Sequence, residues 1–163
     1  MKNMIKTNLL EEIPDAACMA CDPGHERGGI AYWHSGHLHA ITTGELEDKG
    51  ITFTELIDLV EPLAIVVEQI PLLSSPNAIK LGISYGAMRE AVWASDTDCT
   101  AFVKPATWQH HHEFPSGLTY AQRKKFAHRK AVQGHPGISI AEPVADAILM
   151  LDYLRAITEV ECS

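Results

Sequence analysis

The segment Ala17–Trp33 reads ACMACDPGHERGGIAYW. An apolar run closes on Asp22, Pro23-Gly24 turns the chain away, and a second apolar run follows Gly28-Gly29. This is the pattern of a buried strand, over Ala16–Asp22, whose last residue is a carboxylate. In open α/β sheets the carboxyl ends of the strands open onto the ligand crevice, so the position of Asp22 matters as much as its charge. Outward from this strand, Gly29–Trp33 and Leu38–Thr43 read as two more, joined at HSGH, a hairpin turn. Thr52 stands three residues before Glu55, a capping box, and the helix it opens stops at Pro62. PLAIVVEQ follows as a second buried strand, and it too ends in an acid, Glu68. A long helix starts at Asn77, with Gly82 and Gly86 on one face. Each glycine costs a helix about 1 kcal/mol relative to alanine, so a close packing contact is expected there. CTAFV is a further strand, KPATWQHHHEFPSG a loop or short helix, and Thr119 with Gln122 opens a basic helix to about Gln133. Pro143 suits the first position of a closing helix to about Glu159. Interleaved strands and helices make one α/β domain over 16–163, preceded by a flexible amino-terminal arm, 1–15.

Composition agrees. Of 163 residues, 46% are hydrophobic and 21% charged, which is globular rather than disordered. No apolar run approaches the roughly 20 residues a membrane span needs, so no membrane partner is expected. The amino terminus is too acidic for a signal peptide. Four cysteines in a chain this long do not read as a disulfide scaffold, and a reducing cytoplasm is the simpler setting. Cys18 and Cys21 are three apart on a strand and point to opposite faces, which makes them core residues rather than a zinc or redox pair. The net charge of −8 is unevenly spread. Lys104–His135 holds six basic residues against one acid, Glu113, and five of the nine histidines. That segment is either a solvated helix face or an electrostatic footprint for a polyanion. The run His110–His112 reads as a solvated loop.

Three carboxylates stand at element edges: Asp22, Glu68, and Asp146 near the start of the otherwise apolar VADAILMLDYL. Singly, an acid ending a strand is the chain reaching water, and Asp146 complements a helix dipole. Glu142, four residues before Asp146, is a cap or a further member of the group. Converging, such acids form an oxygen-only donor set suited to magnesium or manganese, and two such ions serve phosphate displacement.

These residues resemble a known family. CDPGHERGGIAYW is similar to the opening of the RuvC-like Holliday junction resolvases of the ribonuclease H-like superfamily, with Gly29 in the place of a family glycine. VVEQI resembles the second catalytic strand, AIKLGISYG the central helix, VKPATWQ the Val-x-Pro-x-x-Trp signature of phage-type members, and VADAILML the last helix. The matches occur in family order from Ala17 to Arg155.

The resemblance implies a ribonuclease H-like fold, a mixed five-stranded sheet flanked by helices. It makes Asp22, Glu68 and Asp146 ligands of catalytic divalent metals: two Mg2+ ions, with Mn2+ as a substitute. The family's fourth ligand usually lies three residues before the last aspartate, where this chain has Pro143; Glu142 is the nearest acid and takes that place here. Lys104 matches a basic residue near the scissile phosphate. Arg123, Lys124 or Lys125 supplies a second, and Arg129 and Lys130 extend the DNA-binding face. Bacterial members pry the junction open with an aromatic residue after the Glu-Gln pair; here Leu72 and Leu73 stand in its place. The implied activity is a magnesium-dependent endodeoxyribonuclease, a homodimer that resolves four-way DNA junctions by paired hydrolysis to 5′-phosphate and 3′-hydroxyl ends. The setting is bacterial cytoplasm, with a phage-encoded origin hinted at, and the central helix is the expected dimer interface. Alternatives on the same residues are a nuclease for other branched DNA or structured RNA, and a non-catalytic junction-binding protein. A sugar-kinase-like or actin-like fold also opens on a strand ending in aspartate, but needs more than twice this length.

Overall fold

The computed structural model describes residues 4–6, 17–24, 28–70, 77–97, 99–157 and 159–161. Its main sheet is built from β2 (Cys18–Asp22), β3 (Gly29–His34), β4 (His37–Thr42), β5 (Ala64–Glu68) and β6 (Cys99–Val103), in the order β4-β3-β2-β5-β6. The first three strands form an antiparallel meander, while β5 and β6 run parallel to β2. The sheet is therefore mixed, with β2 at its centre. Ser35 (φ 51°) and Gly36 (φ 77°) form the two-residue loop of the β3–β4 hairpin, the left-handed pair that matches strand twist.

The crossovers carry the helices: α1 (Thr43–Asp48), α2 (Phe53–Val60), α3 (Asn77–Ala94), α4 (Pro105–His111), α5 (Tyr120–Gly134) and α6 (Ala145–Ala156). Alternating residues of β2 serve two cores. Cys18 and Ala20 pack with Trp108, Ala127, Ile148 and Leu151 under α4, α5 and α6, whereas Met19 and Cys21 pack with Leu56, Ile57 and Val92 under α2 and α3. Both faces being covered is why CMAC and AIVV read as unbroken apolar runs. The capping boxes at Thr52–Glu55 and Thr119–Gln122 form as the sequence suggests. A third, Thr42–Glu45, opens α1, which was not expected. No helix among the described residues is long and apolar enough to cross a membrane.

Four expectations are corrected. Met4–Lys6, inside the expected flexible arm, form a short strand β1 antiparallel to β7 (Glu159–Glu161). The closing helix does not start at Pro143 or reach Glu159: a 3₁₀ turn, Glu142–Val144, precedes α6, which ends at Ala156 as Ile157 turns extended. Among the described residues nothing packs within 4 Å of where a Cβ would stand on Gly82 or Gly86, so the expected close contact is not made within the chain. Cys18 and Cys21 are free and buried as expected, with burial pushing the Cys18 thiol up to about 12, but Cys99 is disulfide-bonded.

Candidate active site

The register of the two parallel strands builds the floor of the site. Cys21 lies beside Val67, so Asp22 and Glu68, the next residues on β2 and β5, leave the sheet side by side at its carboxyl end. Asp146 comes from above, as the second residue of α6. Gly29 allows that approach. It pairs with Asp22 across the sheet, and a Cβ on it would stand 2.7 Å from the Pro143 carbonyl oxygen and 2.9 Å from Val144 Cα. The absence of a side chain there lets the 3₁₀ turn that leads into α6 rest directly on β3. Asp22 is 6% and Asp146 8% exposed.

Lys124, in the second turn of α5, binds the group together. Its Nζ donates to Asp146 Oδ2 at 2.5 Å and to Asp22 Oδ2 at 3.4 Å. On the other side the fully buried Trp108 donates its indole Nε1–H to Glu68 Oε1 at 3.0 Å. Glu68 in turn shares a hydrogen bond with Asp22. Burial pushes Asp22 above the ordinary aspartate range, opposed by Lys124 and reinforced by Asp146. Glu68 is pushed up to about 8, by burial first and then by the charges of Asp22 and Asp146. Burial works against the charge of Lys124, but the two aspartates outweigh it and hold the ammonium above its usual range. Three carboxylates thus share one ammonium, and the excess negative charge is relieved by holding a proton.

Among the described residues, no three His, Cys, Asp or Glu side chains are already arranged as a metal cage; the ammonium of Lys124 lies across two of the acids instead. The donor chemistry nevertheless fits a hard divalent cation, because the set is all carboxylate oxygen and its charge is not matched by Lys124 alone.

Two solved structures share this architecture: Thermus thermophilus RuvC, and T. thermophilus RuvC in complex with Holliday junction substrate. Each aligns with a TM-score of 0.58 at 16% identity, over 88% of this chain and 98% of that one. The chain has the ribonuclease H-like fold of RuvC. No protein-family model and no curated protein sequence matches it.

Within this RuvC fold the other expected site residues divide. Lys104 follows β6 as the exposed N-cap residue of α4. It is one residue past Val103, the partner of Glu68, and so stands at the same end of the sheet. Of the three candidates on α5, Lys124 enters the acid group while Arg123 and Lys125 stay exposed. Arg129 is exposed and reaches over the Phe126 ring, and Lys130 pairs with Glu113 at 3.9 Å. Glu142 is exposed and is the first residue of the 3₁₀ turn that precedes α6. The four-residue spacing to Asp146 implied one α-helical face, but a three-residue turn ahead of the helix breaks that phase. Leu72 and Leu73 lie outside the described residues. His112 is no solvated loop residue: it is half-buried, bonds the Leu149 carbonyl through Nε2 at 2.7 Å, and is held below the usual histidine range by burial. Trp108 was visible only as part of a signature. Its role depends on a partner 40 residues away, which no local pattern signals.

Proposed function

We propose that this chain is a divalent-metal-dependent endodeoxyribonuclease that cuts four-way DNA junctions, working as a homodimer. The observation that carries the reading is the meeting of Asp22, Glu68 and Asp146 at one end of the sheet with more negative charge than Lys124 neutralises. Asp22, Glu68 and Asp146 are the residues to hold magnesium. When bound, the metal supplies a water of lowered pKa and charge stabilisation for the leaving 3′ oxygen. Trp108 fixes the rotamer of Glu68, and Gly29 sets the depth of Asp146. Lys124, whose Nζ spans Asp22 and Asp146, would be placed to meet the phosphate if a metal took over the charge of those acids. Lys104, Arg123 and Lys125 stand exposed around the group and hold the flanking backbone, which makes binding strongly salt-dependent. A junction of near two-fold symmetry calls for two such sites. The outward stripe of α3, with Ile79 72% and Ile83 68% exposed and open space over Gly82 and Gly86, is the self-complementary surface for the pairing.

The test is incubation of a labelled four-way junction with the protein and magnesium, beside an Asp146→Asn variant and matched flap, duplex and RNA–DNA hybrid substrates. Symmetric nicks that ligase can reseal, lost in the variant and in EDTA, are expected on the junction alone. Nicking of the flap or hybrid in preference would move the substrate to another branched or hybrid nucleic acid. Tight junction binding with no nicking in magnesium would make the chain a binding protein.

A further inference from the structure

Tyr120 is the first residue of α5, and its side chain is 69% exposed. Its backbone is not free to wander, because Thr119 and Gln122 close a capping box around it. Its ring lies one helical turn before Lys124, with Lys124 Nζ 5.8 Å from the ring centroid, and that same Nζ bridges Asp22 and Asp146. Among the other exposed large apolar residues, Trp93 has Arg89 stacked on its face at 3.9 Å, and Ile79 and Ile83 belong to the outward face of α3. Tyr120 therefore presents an aromatic surface to solvent at the rim of the acid group, flanked by the exposed Arg123.

We infer that Tyr120 is a stacking platform for a nucleobase next to the scissile phosphate. This rests on the nuclease reading and adds a contact to it. An aromatic ring beside cationic side chains is the chemistry that holds single-stranded nucleic acid, since every base has a face to stack and the cations track its backbone. A ring this near the cation at the acids is within one nucleotide of a phosphate held there. At the exchange point of a junction the base stack is interrupted, so a base has an exposed face to offer. Tyr120 would then fix which nucleotide enters the site, independently of the phosphate contacts.

The experiment places 2-aminopurine at single positions flanking the cut site of a junction and titrates the full chain in calcium. It compares wild type, Tyr120→Phe and Tyr120→Leu. Wild type and the phenylalanine variant are expected to change the probe's emission at one position. The leucine variant should lose that change and bind about tenfold more weakly, with an unaltered salt slope, because no phosphate contact is removed. Its melting temperature should match wild type. A leucine variant with wild-type emission and affinity overturns the inference, as does a phenylalanine variant that fails like leucine, which would assign the effect to the hydroxyl group. A wild-type chain that binds junction no better than duplex sinks the junction reading itself, and this inference with it.

Discussion

Replacing Glu68 by glutamine removes one negative charge from the acid group while keeping an oxygen to accept from Trp108 and adding an amide N–H toward Asp22. Glu68 sits at about 8 in the folded chain against an ordinary 4.5. The folded state therefore holds a proton that the unfolded state has released over the pH range between those values, and stability falls as pH rises through it. At about 1.4 kcal/mol per pH unit, the step from pH 5 to pH 8 removes a few kcal/mol. Against a total of about 5–15 kcal/mol for a domain this is large. Asp22, raised in the same direction, adds to the slope. Urea unfolding in EDTA at half-unit pH steps should show wild type losing stability from pH 5 to pH 8. Glu68→Gln should lose most of that slope and exceed wild type by about 2–4 kcal/mol at pH 8. Magnesium should stabilise wild type more at pH 8 than at pH 5, since it competes with the proton for the same oxygens. A wild-type profile that is flat or rising, or a glutamine variant with an unchanged slope, would refute the picture of an overcharged acid group.

Lys124→Met leaves Asp22 and Asp146 without their ammonium, and metal-free urea unfolding at pH 7 should read a loss of about 3–5 kcal/mol; the thermal shift on adding magnesium should then exceed that of wild type. Gly29→Ala puts a methyl group 2.7 Å from the Pro143 carbonyl. It should cost about 1–3 kcal/mol by overpacking and abolish nicking while gel-shift affinity for the junction stays within a fewfold. Trp108→Phe removes the N–H that Glu68 accepts, and chemical denaturation should show a loss of about 1–3 kcal/mol, with single-turnover cleavage slowed at saturating junction.

The floor of the site is legible in the sequence because it is local. An apolar run closed by Asp22 and turned by Pro-Gly, and another closed by Glu68, place two acids at one sheet end as soon as the strands are taken as parallel neighbours. Asp146 is legible as a carboxylate that an apolar helix has no structural need to keep near the core. The capping boxes that set α2 and α5 are equally local. What escapes the sequence is non-local or a matter of phase. Arg123, Lys124 and Lys125 are equivalent as letters, and only the rotation of α5 against α6 turns Lys124 inward. The bond from Trp108 to Glu68 joins two elements through the core. The orientation of Glu142 is not legible either, because Pro143 sits in a 3₁₀ turn and the spacing to Asp146 cannot be counted in α-helical steps. The strand pair β1–β7 joins the two ends of the chain, and three residues on either side carry too little pattern to announce it.

The charge arrangement also separates this site from a structural ion pair. A buried pair kept for stability matches its charges and satisfies its remaining lone pairs. Here three acids face one ammonium, and the deficit is met by a proton whose release costs stability within a neutral pH range. Exposed cations stand on the elements that carry this floor, Lys104 just past β6 and Arg123 and Lys125 beside Lys124 on α5. A phosphodiester approaching such a site would be attracted by these cations and repelled by the floor. For the nuclease proposed above, binding and cutting would therefore have opposite charge requirements: the exposed cations would hold DNA without any metal, and the acids would need a divalent ion before a phosphate could approach them. Junction affinity should persist in EDTA while cleavage does not, and raising the pH should favour cleavage by emptying Glu68 of its proton even as the metal-free fold weakens.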